Sequence, residues 1–368
     1  MVKKLNQERK LLFILPALPV FVPYVGNYLG IADNCEVGYD VICWDRRGDN
    51  PALPENYSVY SHPTRDNYSK WKKLLEIFGF YRFVRRRIRN TEYKAVFTYT
   101  IADSVLFESY LVRHYRGRYV LDIRDYSPMV RSRFFKRIIG KMLSHSAYNV
   151  ISSEGFKDWL PAQFDYLVCH NTDIEKVRNS FESRSPKKDD GSISVLTIGA
   201  LRDAGPNREV IDALGNKEGI RLQFVGDGKA LPILVKHCEE HSVGNVSFHG
   251  RYQKDEEDGF VKQCDMMNII LDHDNFGRCL MSNRFYLSAR LRKPMIVNED
   301  SFQAKQAAKY GLGLVVSDTS DLYERVVSYW KALDWQSYDS SCVRFLNDTY
   351  RDMIRFERVM ADFMNKSN

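Results

Sequence analysis

No Cys-x-x-Cys pair occurs in this sequence, and its seven cysteines, Cys35, Cys43, Cys169, Cys238, Cys264, Cys279 and Cys342, are odd in number. That pattern argues against a zinc site and against a disulfide framework. Most of them sit among apolar neighbours, where a thiol behaves as a small hydrophobe, and a reducing cytosol fits best. The longest apolar run, Leu11 to Val25, is interrupted by Pro16, Pro19 and Pro23. It falls short of the roughly 18–20 residues of a spanning helix. Lys3, Lys4, Arg9 and Lys10 precede it, but no small-residue cleavage site follows, so the expectation is a buried strand and not a signal peptide. Low-complexity segments and repeats of 20–50 residues are missing as well. So are helix-turn-helix, RNP and zinc signatures, which leaves nucleic acid without a reader.

What is present is a globular composition, 44% hydrophobic and 27% charged over 368 residues, long enough for two domains. The net charge of +7 is uneven. Residues 1–172 hold 26 Lys and Arg against 17 Asp and Glu, whereas 173–368 hold 28 against 30. Short apolar runs alternate with helical patterns, the mark of parallel α/β units. In the first half strands are expected at Lys10–Leu15, Tyr39–Trp44, Ser58–Ser61, Ala95–Tyr99, Tyr119–Ile123, Asn149–Ile151 and Tyr166–Cys169, with helices at Tyr68–Asn90, Ala102–Tyr115 and Met129–Ser144. Ser180–Ser192 lacks an apolar period and is expected to be a linker. Further strands follow at Ser194–Ile198, Arg221–Val225, Val246–Phe248, Met267–Leu271, Pro294–Val297 and Gly313–Val316, and Trp335–Met364 is helical. The most economical architecture is α/β with two successive open parallel sheets, whose facing carboxyl ends would make a cleft. The expected domains are 1–172 and 173–334, with helices over 335–368 packing back on the first.

Chemistry concentrates after the second-half strands. Gly199-Ala-Leu-Arg202 leads into a helix expected near Arg208, placing free N–H groups and a guanidinium where anionic oxygens bind. Gly226 and Gly228 end the next strand, and His249-Gly-Arg-Tyr252 ends another. In Asp272-His-Asp-Asn275 to Ser282-Asn283-Arg284, followed by Lys293-Pro294, a polar loop precedes a helix N-terminus with its arginine, a geometry that holds a sugar and phosphates. In the first half, Tyr24, Gly26 and Asn27 follow the first strand. Asp122, Arg124 and Asp125 follow another, either orienting a hydroxyl or forming a structural Asp–Arg anchor. His170 and Asn171 fall near the expected hinge.

In order and spacing, Gly-x-x-Arg, Val-Gly-x-Gly, His-Gly-x-Tyr and Asn-Arg-Phe-Tyr with Lys-Pro resemble the retaining transferases of glycosyltransferase family 4, especially bacterial capsule and exopolysaccharide enzymes. Leu121-Asp-Ile-Arg124-Asp125-Tyr-Ser-Pro128, Val150-Ile-Ser-Ser153-Glu-Gly155-Phe156 and Cys169-His170-Asn171-Thr172 agree, so the resemblance covers nearly all of residues 8–320. It implies the GT-B fold, two Rossmann-like domains facing a central cleft. A nucleotide-diphosphate sugar is then the co-substrate, with no further cofactor, and Gly199, Arg202, Gly226, Gly228, Tyr252, Asp272, Asn275, Ser282, Asn283 and Arg284 would bind it. Tyr24, Gly26, Asn27, Asp122, Arg124 and Asp125 would face the acceptor. Arg202, Arg284 and Asp125 carry catalysis in this reading, and no metal is needed. The family usually places two glutamates eight positions apart around the loop; those positions are Cys279 and Leu287 here. A non-catalytic binding or scaffold relative, or a sugar-nucleotide epimerase of the same fold, remains the alternative.

One segment has a different character. Lys70-Trp71-Lys-Lys73-Leu74-Leu75-Glu-Ile-Phe78 puts Trp71, Leu74, Leu75 and Phe78 on one helical face and runs into Arg82, Arg85, Arg86, Arg87 and Arg89. A second basic stretch covers Arg131–Lys141. Both suit either an anionic membrane surface or a core-packing helix with a solvated face. Acceptors of the resembled family are often lipid-linked saccharides, which implies a cytoplasmic enzyme peripheral on the inner face of the cell membrane.

Overall fold

The computed structural model describes residues 9–64, 69–89, 91–181, 191–272 and 275–366. Most of the expected linker, residues 182–190, therefore lies outside the described residues, as do Lys3, Lys4, Asp274 and the ends of the expected helix at Tyr68 and Asn90.

Among the described residues thirteen strands form two sheets. The first holds β1 (Leu11–Leu15), β2 (Tyr39–Asp45), β3 (Tyr57–Ser61), β4 (Ala95–Tyr99), β5 (Tyr119–Ile123), β6 (Tyr148–Ile151) and β7 (Leu167–Val168) in the order β3-β2-β1-β4-β5-β6-β7. The second holds β8 (Ile193–Ile198), β9 (Ile220–Val225), β10 (Val246–Gly250), β11 (Met266–Asn268), β12 (Met295–Asn298) and β13 (Gly313–Val316) in the order β10-β9-β8-β11-β12-β13. Every pairing is parallel. Central strands β1, β4, β5 and β8 are buried along their whole length, as sheets covered on both faces require. Strand order reverses beside β1 in one sheet and beside β8 in the other, and it is at such switch points, beyond the carboxyl ends, that these sheets bind ligands.

Three expectations need correction: the helix expected over Met129–Ser144 starts only at Arg133, after a 3₁₀ turn at Pro128–Arg131 and an extended Ser132, and two further differences concern β11 and the helix after β4. Strand β11 stops at Asn268 rather than reaching Leu271, because side chains take over its backbone partners. Asn268 Oδ1 accepts from the Ile270 N–H at 3.1 Å, and Asn298 Oδ1 from the Leu271 N–H at 3.2 Å. The helix expected over Ala102–Tyr115 is broken into Ile101–Ser104, a 3₁₀ turn at Val105–Phe107 and Glu108–His114. The break coincides with Phe107, buried against Phe80 and Tyr81 of the preceding helix.

By contact density the chain divides into Met1–His170 with Asp352–Asn368, and Asn171–Arg351. The long helix Trp335–Asn365 is thereby shared. Its first half buries Tyr338, Cys342, Phe345 and Leu346 in the core of the second unit. Its last turns bury Phe356, Met360 and Met364, and Phe356 packs on Tyr28 of the first unit at a ring distance of 5.1 Å. Among the described residues no helix is long and apolar enough to cross a membrane.

Candidate active site

In the second unit, the turns leaving β8 and β9 touch backbone to backbone. Gly199 N donates to Val225 O at 2.9 Å and Leu201 N to Asp227 O at 3.0 Å. A Cβ on Gly226 would stand 1.9 Å from Gly199 O, and one on Gly228 would stand 2.3 Å from Leu201 O. Only glycine permits this approach, and it opens a hollow of about 330 Å³ lined by Gly199, Gly226, Asp227, Arg251 and Tyr252. Arg251 Nε donates to Asp227 Oδ2 at 2.6 Å across its rim. Tyr252 OH donates to Glu257 at 2.9 Å, and burial, followed by that carboxylate, pushes its phenol up.

Arg202 follows β8 on an exposed turn, and the next helix begins at Ala204, four residues before the expected Arg208. Arg284 occupies the first turn of helix Asn283–Arg290, whose N-cap, Ser282, offers no side-chain cap. Ser282 is instead tied by its N–H and hydroxyl to Gln303 Oε1 at 3.0 and 2.7 Å. Free amides therefore remain at the helix start. Arg284 is half-buried and forms no ion pair among the described residues. Burial depresses its pKa, the nearby Asp203 and Tyr252 oppose that, and the charge of Arg202 adds to it. Two guanidiniums thus share one neighbourhood at a helix N-terminus with no carboxylate ion-paired to either among the described residues, an arrangement suited to a polyanion.

Other sequence candidates are more dispersed. Asp272 is exposed, and Asn275 opens the short helix Asn275–Cys279 with its side chain outside the described residues. Cys279 and Leu287, at the positions of the family's glutamates, are each only 4% exposed and pack into the core. Among the described residues the amide nitrogens of Asn298 and Gln303 are buried without hydrogen-bond partners.

In the first unit, Asp122 and Arg124 form an enclosed pair. Arg124 Nη2 donates to Asp122 Oδ2 at 2.7 Å, and Nε lies 2.7 Å from Oδ1 without hydrogen-bond alignment. Tyr28 OH donates to Asp122 Oδ2 at 2.6 Å, and Arg124 Nη1 donates to Cys169 O at 2.9 Å. These contacts are those of the structural anchor. Tyr24 is half-buried with its ring under the Arg124 guanidinium at 4.6 Å, while Gly26 and Asn27 lie in the first turn of helix Val25–Asn34. Asp125 is exposed. Sequence reasoning did not single out Arg46, Thr100 and Asp103 at the ends of β2 and β4; Arg46 Nη2 contacts Asp103 Oδ1 at 3.3 Å. His170 Nε2 lies 3.1 Å from Asp352, and both residues belong to the first unit.

A larger hollow of about 860 Å³ lies at the amino ends of β6 and β7, away from the ends where such sheets bind ligands. No group of His, Cys, Asp or Glu among the described residues is arranged to hold a metal. Helix Lys70–Ile88 buries Glu76, Phe80, Val84 and Ile88 and turns Trp71, Leu75 and Phe78 outward, 76%, 71% and 50% exposed. The side chains of Lys70, Lys73 and Leu74 are outside the described set. Arg85 covers the ring of Tyr110 and Arg87 that of Phe83, while Arg86 is exposed.

No family model matches the sequence, and no curated protein does. Solved structures do match. Sucrose-phosphate synthase from Thermosynechococcus elongatus superposes with a TM-score of 0.70 at 11% identity, over 95% of this chain and 98% of that one. HepE from Anabaena, solved in complex with UDP, gives 0.67 at 13% over 96% and 98%. The lipopolysaccharide outer core galactosyltransferase WaaB gives 0.64 at 14% over 95% and 99%. The likeness spans nearly the whole chain and shows its fold to be GT-B, as the sequence motifs imply.

Proposed function

We propose that the chain is a glycosyltransferase that moves a sugar from a nucleotide-diphosphate sugar to a lipid-linked saccharide in cell-surface polysaccharide synthesis, with retention and without a metal. The observation that carries this reading is the couple Arg202 and Arg284, without an ion pair among the described residues, at the carboxyl end of β8 and the start of helix Asn283–Arg290. A bound pyrophosphate relieves their mutual repulsion, and the same charges stabilise the nucleoside diphosphate as it departs. In the transfer, the bond from the sugar's anomeric carbon to the phosphate oxygen breaks with its electron pair going to phosphate. The acceptor hydroxyl oxygen bonds to that carbon, and its proton passes to the leaving phosphate. The hollow beside Gly199 and Gly226 fits the nucleoside end. That HepE was solved with UDP makes uridine nucleotides the first to try.

The outward Trp71, Leu75 and Phe78, with Arg82, Arg86 and Arg89 continuing the same stripe, support docking on an anionic membrane at the cytoplasmic face. Enclosure of Cys279 and Leu287 supports a second reading, a GT-B protein that binds without catalysing. Thermal shifts with UDP, GDP, ADP and CMP compounds, followed by hydrolysis of the best nucleotide sugar, decide between them. A shift with hydrolysis lost in Arg202→Ala and Arg284→Ala supports the enzyme; a shift without turnover supports the binder, and no shift refutes both.

A further inference from the structure

Among the described residues the first unit contains two Asp–Arg pairs at the carboxyl ends of its sheet, and they differ in what they leave free. Asp122 and Arg124 are sealed, 1% and 7% exposed, with partners on both sides. Arg46 and Asp103 are not sealed: their side chains retain 39% and 19% of their surface. Asp103 Oδ2 accepts from Thr100 Oγ1 at 2.9 Å and Oδ1 faces Arg46, so two carboxylate oxygens still have lone pairs to offer. Arg46 Nε is buried with no hydrogen-bond partner among the described residues, and its guanidinium lies 4.2 Å over Trp44, which fixes its plane.

The backbone beneath the pair is strained. Thr100, directly after β4, has φ 59° and ψ 146°, a region that is essentially glycine's and that a β-branched residue occupies at a cost of about 1–3 kcal/mol. Its N–H donates to Asp122 O at 2.8 Å and its hydroxyl to Asp103, so the strained residue is what aims the Asp103 carboxylate. The place is the switch point of the sheet, between β1 and β4. Across the rim, Arg47 stacks on Phe21 at 4.0 Å, and that ring is 40% exposed.

We infer that Arg46 and Asp103, set by the strained Thr100, form a saccharide subsite in which the Asp103 carboxylate accepts hydrogen bonds from sugar hydroxyls and Arg46 donates to a sugar oxygen. A carboxylate beside a guanidinium matches neighbouring hydroxyls, one giving and one receiving. The subsite belongs to the sugar acceptor and so deepens the transferase reading on which it rests. Burial raises the Asp103 carboxyl, with Arg46 and then Thr100 opposing, so hydroxyl hydrogen bonds are welcome there.

The test uses the full chain and methyl glycosides of glucose, galactose, mannose and N-acetylglucosamine as probes. Saturation-transfer NMR is run on the wild type, Asp103→Asn, Arg46→Gln, Arg46→Lys and the remote control Asp165→Asn, with UDP and GDP thermal shifts in parallel. At least one glycoside is expected to bind the wild type and the control. Binding should be about tenfold or more weaker in Asp103→Asn and Arg46→Gln, and partly kept in Arg46→Lys, with nucleotide shifts and resting melting temperature unchanged. Equal glycoside signals in all variants, or none in the wild type, overturn the subsite. A wild type that binds glycoside but no nucleotide instead overturns the transferase reading and leaves the subsite standing.

Discussion

Gly226 lies so close to Gly199 that a single added methyl would sit 1.9 Å from the Gly199 carbonyl oxygen and 2.9 Å from its carbon. The two residues end neighbouring strands, so their contact sets the spacing of the turns around the hollow. Gly226→Ala, also strained by φ 139°, should lose about 3–5 kcal/mol of stability and its response to nucleotide. Gly199→Ala meets open space and only the strain of φ 105°, so about 1–2 kcal/mol is expected. Urea midpoints of the two variants check the difference.

Arg284 carries a charge that burial disfavours and that forms no ion pair among the described residues, though Asp203 nearby favours it. Arg284→Met should therefore leave the ligand-free protein as stable as the wild type, or more so, while weakening nucleotide binding about 10–100-fold. Arg202→Ala, on an exposed turn, should weaken binding with no change in resting stability. Calorimetric titration with a nucleoside diphosphate, alongside melting curves, measures both.

The sealed pair behaves differently. Asp122→Asn strands Arg124 inside the protein and should cost about 3–5 kcal/mol, whereas Tyr28→Phe removes one hydrogen bond and should cost about 1 kcal/mol. Nucleotide shifts should survive in both. Loss of glycoside binding in Tyr28→Phe would place the acceptor deeper than Arg46 and Asp103.

Asp45, fully enclosed, accepts N–H bonds from Arg47, Gly48 and Asp49 on one oxygen and from Asn50 on the other. Burial pushes its carboxyl up, but the four amides outweigh that and hold it below the usual range. A depressed carboxyl stabilises the fold above its unfolded pKa of about 3.9, and that contribution is lost as pH falls through the lower folded value. Asp45→Asn should thus cost about 2–3 kcal/mol at neutral pH, and the gap should close in strong acid. Urea midpoints near neutrality and near pH 2 reveal the convergence.

The strands were legible because parallel sheets covered on both faces demand uninterrupted apolar runs, and Leu11–Leu15 or Ile193–Ile198 have no other plausible use. Boundaries failed where side chains replaced backbone partners, as Asn268 and Asn298 do after β11. Arg202 and Arg284 could be singled out because each sits within a few residues of a glycine turn or a helix start. Arg46 and Asp103 could not, being 57 positions apart and joined only because β2 and β4 flank β1. Thr100 gave no signal either, since threonine does not announce a left-handed backbone. For Asp122 and Arg124, only the positions of Tyr28 and Cys169 distinguish an anchor from a binding pair.

The helix shared by the two units also fixes an order of assembly. Phe356, which packs on Tyr28, and the buried Met360 and Met364 belong to the first unit, yet they leave the ribosome only after all of residues 171–351. The half that is synthesised first is finished last. A chain truncated after residue 351 should therefore expose an incomplete first unit to proteases and chaperones, while the second unit, whose own residues end at Arg351, resists digestion.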